Sequence, residues 1–191
     1  MVRRSKQVAL VAPVLLIIFL AALVVWSPYR DYVGFPDRLI KEAVEIDAPC
    51  QDVYEYLADS ENARRWSVFV DHITPLNLDK APDGAQGSIR RSYKRADEGG
   101  MTWDEYFELV EPLRRRLVIY NVQGVLTTEG ELLTEQLYEP LGDHGCRLSF
   151  TLFFRERPSL GDEVLMRLSA HEIARIFRSN IRNVKRLNEV A

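Results

Sequence analysis

The chain has 191 residues, of which 47% are hydrophobic and 10% aromatic, and its formal net charge is −3. Residues 1–30 hold four bases and no acid, so the rest of the chain carries 21 bases against 28 acids, a net of −7. That balance argues against nucleic acid as a partner, because phosphate contacts need basic surface. The apolar content excludes disorder for the body of the chain, whose roughly 160 residues correspond to one ordinary domain.

An uncharged apolar segment opens the chain. Residues 8–26 contain no charged side chain, and their number is close to the roughly 20 residues that cross a bilayer as a helix. A cleavable signal peptide is the alternative, although its apolar region usually has about 7–15 residues. We favour a retained transmembrane helix, with Trp26, Tyr29 and Tyr32 as an aromatic belt at the membrane surface.

The charges around this segment predict its orientation. Three bases, at positions 3, 4 and 6, precede it, whereas the two bases and two acids within residues 30–38 cancel. The positive-inside rule then places the amino terminus in the cytoplasm and the domain outside it. We therefore expect a single-pass protein of the cell membrane, divided into a cytoplasmic tip and anchor (1–26), a juxtamembrane linker (27–38) and one domain (39–191).

The first elements of the domain are a strand and two short helices. Residues 39–46 alternate apolar and polar side chains as a half-buried strand does. Asp47 can cap a helix that follows, and Pro49 suits an early helical position. Val53 and Leu57 give that helix an apolar stripe, and residues 61–69 form a second short helix around Trp66.

The remainder predicts a sheet and one long helix. Six further strand-like runs, separated by turn signals, occupy residues 70–77, 87–95, 101–110, 116–122, 131–139 and 146–155. Residues 159–188 then have helical periodicity, with Ser159 and Asp162 placed as a capping box. The apolar face of this helix comprises Met166, Ala170, Ile173, Phe177, Ile181, Val184 and Leu187.

The run from residue 45 to residue 70 resembles the opening of the START-like superfamily known as SRPBCC, and most closely its polyketide cyclase/dehydrase-like branch. The matching residues, in order, are Asp47, Ala48, Pro49, Val53, Leu57, Asp59 and Trp66. The resemblance implies an α+β helix-grip fold over about residues 39–190. In that fold a curved, seven-stranded antiparallel sheet wraps the long carboxy-terminal helix, and the two short helices support it. Its members include cyclases, lipid carriers and hormone receptors, so the resemblance implies no particular activity.

An ion pair is predicted beneath the long helix. If residues 96–100 close a symmetric hairpin, Arg91 lies opposite Glu105 and Tyr93 lies opposite Trp103. Arg91 and Glu105 are then the candidate catalytic residues, because a desolvated carboxylate can act as acid or base. A structural pair at the cavity rim, or a slipped register that exposes both, is the alternative.

An apolar cavity with few polar groups is what a sterol, quinone, fatty acyl chain or polyketide-like ligand requires. We expect the small Ala170 to leave room for the ligand opposite Trp103. Each candidate could equally belong to the plain core. The candidate ligand-binding residues are Trp66, Tyr93, Trp103, Phe107, Asn121, Phe150, Ala170, Ile173 and Phe177.

Metal and cofactor chemistry are not indicated. The three histidines lack paired ligand spacing, and the sequence contains no nucleotide-binding or nucleophile motif. In a helix-grip fold the first strand pairs with the last, which brings Cys50 near Cys146. A disulfide is possible outside the cytoplasm, but we favour two separate buried thiols.

These observations predict a membrane-anchored binding module that holds a hydrophobic small molecule or a lipid. An enzyme of the cyclase or dehydrase kind is a second hypothesis, which we disfavour because one carboxylate on one strand is its main support. A third is an interaction domain without a pocket, whose surface meets a membrane protein.

Overall fold

The computed structural model describes residues 3–35 and 37–189, with side chains from residue 13 onwards. A single 3₁₀ turn, Ser60–Asn62, precedes the third helix. The elements in chain order are α1 (Arg3–Val25), β1 (Leu39–Ile46), α2 (Cys50–Ala58), α3 (Ala63–Trp66), β2 (His72–Pro75), β3 (Ile89–Tyr93), β4 (Thr102–Glu111), β5 (Arg114–Gln123), β6 (Leu132–Leu141), β7 (Gly145–Phe154) and α4 (Leu160–Asn188).

All seven strands form one antiparallel sheet in the order β1-β7-β6-β5-β4-β3-β2. The first and last strands are therefore neighbours, and the others follow in reverse chain order. Helix α4 packs against one face of the sheet, mainly over β1 and β7. We call this the inner face and its opposite the outer face. The predicted α+β helix-grip arrangement of seven strands and a long final helix is confirmed.

Helix α4 begins with the predicted capping box. Ser159 Oγ accepts a hydrogen bond from the backbone N–H of Asp162 at 3.1 Å, and the Asp162 carboxylate accepts one from the backbone N–H of Ser159 at 3.3 Å. Burial opposes ionisation of Asp162, but hydrogen bonds from Glu129 and Ser159 outweigh it and lower the pKa of this carboxyl. Because the Glu129 bond comes from the β5–β6 loop, the cap also attaches that loop to the helix.

The segment predicted as a juxtamembrane linker is packed against the domain. Tyr29 is buried among side chains of β1, β7 and α4, and its hydroxyl donates to Glu163 Oε1 at 3.2 Å. Burial raises the pKa of Tyr29, and the negative charge of Glu163 adds to this effect. Arg30 pairs with Leu39 through two backbone hydrogen bonds, and Phe35 packs on Phe153 at the outer face. Residues 27–35, which we call the strap, thus hold the end of α1 to the sheet edge.

The predicted transmembrane helix falls partly outside the described side chains. Its backbone is helical in α1, but of residues 8–26 only those from residue 13 have described side chains. Among the described residues, no helix combines the length and the apolar character that a membrane crossing needs.

A disulfide joins Cys50 to Cys146, so our preference for two separate thiols was wrong. The register of the sheet explains the bond, because Cys146 lies directly opposite Ile46 and α2 begins at Cys50. Both cysteines are buried in the cluster that joins α2, β7 and α4. The bond therefore links the start of α2 to the last strand across a sequence separation of 96 residues.

We predict that replacing both cysteines by alanine lowers the free energy of unfolding by about 2–4 kcal/mol, because the bond restricts the unfolded chain over a long loop. Urea denaturation followed by far-ultraviolet circular dichroism measures this. Adding reductant to the wild-type protein should lower the midpoint similarly, and should leave the double variant unchanged. Equal midpoints for oxidised and reduced wild-type protein would contradict the prediction.

Candidate ligand cavity

A cavity of about 440 Å³ lies between α4 and the inner face of the sheet. This volume falls within the range of small-molecule sites. The strands β4 to β7 supply one wall and the middle of α4 supplies the other, while α3 and the residues after it close one side. Most of the lining side chains are apolar or aromatic, so the space suits an apolar molecule.

Five of the nine predicted ligand-binding residues line this cavity: Trp66, Trp103, Phe150, Ile173 and Phe177. The ring of Phe150 is in edge contact with both Trp66 and Phe177, at centroid distances of 6.2 and 5.8 Å. These contacts join α3, β7 and α4 into one aromatic wall.

The register of β3 differs by one residue from the predicted hairpin. Arg90, rather than Arg91, lies opposite Glu105, and Arg91 lies opposite Asp104. The hairpin closes between Lys94 and Met101, whose backbone N–H and carbonyl are hydrogen-bonded at 3.1 Å, so the loop has six residues rather than the predicted five. A shift of one residue moves every side chain of a strand to the other face. The predicted Arg91–Glu105 pair is therefore wrong.

Arg90 forms the ion pair on the cavity wall. Its Nε donates to Glu105 Oε2 at 2.7 Å, and its Nη1 donates to Ser60 Oγ at 3.3 Å. The other carboxylate oxygen of Glu105 accepts from Trp103 Nε1 at 2.8 Å. Only 7% of the Arg90 side chain and 12% of the Glu105 side chain are exposed. The pair satisfies the buried carboxylate, which is the condition under which a buried charge is tolerated.

The predicted residues Arg91 and Tyr93 lie on the outer face, away from the cavity. Arg91 donates two hydrogen bonds to Asp104, at 2.6 and 2.9 Å, and Tyr93 stacks on His72 with ring centroids 4.5 Å apart. Burial opposes ionisation of Asp104, but the hydrogen bonds from Arg91 and Asn121 outweigh it and lower the pKa of this carboxyl. This outer pair is fully satisfied by its neighbours and contributes nothing to the cavity.

Asn121 was expected inside and lies outside. A β-bulge places Asn121 and Val122 together opposite Trp103, and Asn121 adopts a left-handed conformation with φ of 51°. The bulge interrupts the alternation of β5, so Leu117 and Ile119 face inward as predicted but Val122 replaces Asn121 as the next lining residue. The Asn121 amide instead donates to Asp104 Oδ2 at 2.8 Å.

Phe107 and Ala170 are core residues that do not reach the cavity. Phe107 is buried beneath Arg90, whose guanidinium carbon lies 4.7 Å from the ring centroid. Ala170 is completely buried in the cluster with Tyr29, Leu152 and Phe154. The room predicted at Ala170 lies instead along the next stripe of α4, which contains Leu165, Ser169 and Ile176.

Most of the polar lining residues were not predicted, and Arg90 and Gln136 are two of them. Because Arg91 was predicted to face inward, its neighbour Arg90 fell on the opposite face of β3, and the observed register reverses the two. Gly99 and Gly100 mark a loop in the sequence but do not fix its length. Gln136 lies on β6 and lines the cavity, and it was not among the predicted residues. Its Oε1 accepts a hydrogen bond from the buried hydroxyl of Tyr138 at 2.9 Å.

Two loops border the cavity on the side away from the disulfide. The β5–β6 loop presses on the β3–β4 loop so closely that a Cβ atom at Gly124 would lie 2.4 Å from the carbonyl oxygen of Gly100. Gly124 has φ of 78°, which also favours glycine. Val125 and Leu126, which follow directly, line the cavity. Among the described side chains, no group of His, Asp or Glu residues is placed to hold a metal ion.

Comparison with known families identifies the domain. The model of the family described as polyketide cyclase / dehydrase and lipid transport matches residues 38–189. The chain belongs to this family. The START-like, polyketide cyclase-like resemblance of the sequence is thereby confirmed. A comparison with curated protein sequences found no match.

Solved structures share the fold at low sequence identity. A protein from Thermus thermophilus is 19% identical, with a TM-score of 0.58 over 78% of this chain and 94% of that one. A START superfamily protein from Mycobacterium smegmatis is 11% identical, with a TM-score of 0.59 over 80% and 97%. The di-domain ARO/CYC BexL from the BE-7585A biosynthetic pathway is 15% identical, with a TM-score of 0.59 over 78% and 45%.

We predict that Arg90→Met lowers the free energy of unfolding by about 3–5 kcal/mol, because it leaves the carboxylate of Glu105 buried without its counter-charge. Arg95→Met is the matched control, since Arg95 forms an exposed pair with Asp97 and its loss should leave the free energy of unfolding almost unchanged. Urea denaturation followed by tryptophan fluorescence gives both values. The double variant Arg90→Met/Glu105→Met should recover most of the loss, whereas equal losses for Arg90→Met and Arg95→Met would refute the assignment.

Proposed function

We propose that this protein is a membrane-anchored binding module that holds a hydrophobic small molecule or a lipid in the cavity between the sheet and α4. The observation that carries the proposal is the cavity itself, which remains open although α4 is closely packed on β1 and β7. Binding in this cavity is favoured by about 25 cal/mol for each Å² of apolar ligand surface that is removed from water.

The polar groups of the cavity indicate one end of the ligand. Arg90 uses Nε and Nη1 for Glu105 and Ser60, and no hydrogen bond from its Nη2 is found among the described residues. The amide nitrogen of Gln136 likewise has no partner there, since only its oxygen is engaged. Both groups are donors, so a ligand that offers an acceptor oxygen, such as a carbonyl or carboxylate, fits this end of the cavity.

Membrane anchoring through α1 is supported by the exposure of its apolar side chains. The seven consecutive residues from Val14 to Leu20 are each 46–65% exposed, so apolar side chains surround the full circumference of this part of α1. A helix that is apolar all round is usually buried in a protein core or in a bilayer. The charge difference across residues 8–26 supports a cytoplasmic amino terminus and an extracytoplasmic domain.

The disulfide supports the same placement. Bonds between cysteines persist in oxidising compartments and are rare in the cytosol. The Cys50–Cys146 bond is buried and joins two elements of the core, so it belongs to the folded domain rather than to its surface. A domain outside the cytoplasmic membrane would form this bond during its own folding.

Filling the cavity should abolish ligand binding without unfolding the protein. Ile176→Trp adds bulk to a half-buried lining position of α4, whereas Arg175→Trp adds the same bulk to the exposed position beside it. We expect native mass spectrometry of detergent-extracted wild-type protein and Arg175→Trp to show a co-purifying apolar molecule that Ile176→Trp lacks. Binding of the fluorescent fatty acid cis-parinaric acid should weaken by at least about tenfold, or 1.4 kcal/mol, in Ile176→Trp alone. Identical binding by both variants would contradict the proposal.

The orientation is testable with a fusion. Alkaline phosphatase joined after Ala191 should be active in a bacterial host, because this enzyme requires an oxidising compartment for its own disulfides. The same fusion without residues 1–26 should be inactive, and carbonate extraction should leave the full-length fusion in the membrane pellet. An inactive full-length fusion would indicate the opposite orientation. Release of the fusion by carbonate would indicate a cleaved signal peptide instead of a membrane anchor.

The second candidate function is a cyclase or dehydrase activity, which the position of Glu105 on the cavity wall favours. The surroundings of Glu105 favour binding instead. Each of its two oxygens already accepts a hydrogen bond, one from Arg90 and one from Trp103, so the carboxylate is held in a structural ion pair. An interaction domain without a pocket would have a filled interior, and the open cavity argues against this third hypothesis.

A further inference from the structure

A buried arginine without a counter-charge lies next to the cavity. Arg115 on β5 is only 2% exposed, and an arginine side chain keeps its positive charge at neutral pH. Its Nη2 donates to the backbone carbonyl of Tyr54 at 3.0 Å, and its guanidinium carbon lies 3.6 Å from the centroid of the Tyr54 ring. Its Nε and Nη1 have no hydrogen-bond partner in the part of the chain that the structure describes. Tyr54 therefore holds Arg115 in place but does not neutralise it.

The carboxylates on the neighbouring strands are engaged with other arginines. Glu105 pairs with Arg90 at 2.7 Å, and Glu135, on the outer face, pairs with the arginines on either side of Arg115. None of the carboxylates that the structure describes forms an ion pair with Arg115 itself. The buried inner-face side chains of β3, β4 and β5 thus include two guanidinium groups and one carboxylate, which leaves one positive charge uncompensated.

The charge of Arg115 acts on the cavity across Gln136. The two residues lie directly opposite each other on β5 and β6, where paired Cβ atoms are about 4.5–5.5 Å apart, and Gln136 lines the cavity. The hydroxyl of Tyr138 donates to Gln136. Burial raises the pKa of Tyr138, whereas the charges of Arg115 and Arg90 both oppose this rise. The two guanidinium groups therefore affect the same end of the cavity.

We propose that the ligand is an amphiphilic acid, whose apolar chain fills the cavity and whose ionised carboxylate lies at the end formed by Arg90 and Gln136, where it supplies the counter-charge that Arg115 lacks. An unpaired charge in a protein interior is costly, and an opposite charge nearby reduces that cost even without direct contact. The carboxylate accepts hydrogen bonds from the remaining donors of Arg90 and Gln136. This inference rests on the proposed function and adds to it that the ligand is an anion.

A neutral ligand with the same apolar chain explains less of the structure. The oxygen of an alcohol or an ester can accept a hydrogen bond from Arg90 or Gln136, but it leaves the charge of Arg115 uncompensated. A purely structural role, in which Arg115 only joins β5 to α2 through Tyr54, predicts that charged and neutral ligands bind equally well. The two interpretations therefore differ in a measurable preference.

The preference is tested with dodecanoic acid and dodecan-1-ol, which differ only in their head groups. Full-length, detergent-extracted protein with a carboxy-terminal affinity tag is incubated with both ligands, captured and washed, and the ligands are quantified by mass spectrometry. The bound ratio of acid to alcohol is divided by the ratio in the unbound fraction, which corrects for partition into detergent. We expect wild-type protein to prefer the acid, and Arg115→Met to lower the corrected ratio by at least about tenfold.

Two variants serve as controls. Arg115→Lys keeps the positive charge and should retain the preference for the acid. Arg114→Met removes the neighbouring guanidinium, which pairs with Glu135 on the outer face, and should bind both ligands as wild-type protein does. Far-ultraviolet circular dichroism verifies that each variant is folded, and if Arg115→Met is not, the wild-type protein and Arg115→Lys decide the question.

The outcomes separate this inference from the proposed function. Wild-type protein that retains both ligands without preference overturns the inference and leaves the proposed function standing, as does an unchanged ratio in folded Arg115→Met. Loss of the preference in Arg115→Lys also overturns it, because the stacking of Arg115 on Tyr54 rather than its charge would then be responsible. Retention of neither ligand refutes the proposed function and this inference with it.

Discussion

The position of α4 on the sheet is the constraint on which the rest of the molecule depends. Ala170 and Ala174 are completely or almost completely buried against side chains of β1 and β7, and small residues there let the helix approach those strands closely. Close approach at one edge of the sheet leaves the helix away from β4 and β5. The cavity occupies the resulting space, so it is a consequence of where small side chains occur on α4.

The same asymmetry decides how the polar groups are distributed. The core of the closely packed side of α4 is apolar, whereas Arg90, Glu105 and Gln136 line the cavity from the sheet. Dense packing leaves no room for water or a ligand, whereas open space allows a polar group to keep a free donor. The donors of Arg90 and Gln136 are therefore found where the helix is distant.

The sequence predicted the architecture well and the strand faces less well. Hydrophobic periodicity placed α4, its capping box and all seven strands, because these depend on residues close together in the chain. The prediction of which side chains face inward was wrong for β3 and for the end of β5, and one common reason explains both. Left-handed residues change the count between paired strands, in the β3–β4 loop and at Asn121, and periodicity alone contains no information about such single-residue insertions.

The predicted cavity residues were right on regular elements and wrong next to irregular ones. Trp66, Phe150, Ile173 and Phe177 were found because they lie on elements without an irregularity. Tyr93 was assigned to the wrong face because it belongs to β3, whose register depends on the β3–β4 loop. Asn121 was assigned wrongly because it lies in the β-bulge itself. Phe107 and Ala170 illustrate a different limit, since both face inward as predicted but lie beneath other side chains. The direction of a side chain can be inferred from alternation, but whether it reaches open space depends on packing across the whole domain.

The disulfide can close only late in the synthesis of the chain. Cys50 is synthesised 96 residues before Cys146, and β1 has no partner strand until β7 has followed it. The chain contains just these two cysteines, so no incorrect bond can form within one molecule. The native bond can therefore form only once β7 has been synthesised. Until that moment an emerging chain presents a free thiol and an unpaired strand edge to any oxidase or chaperone that meets it.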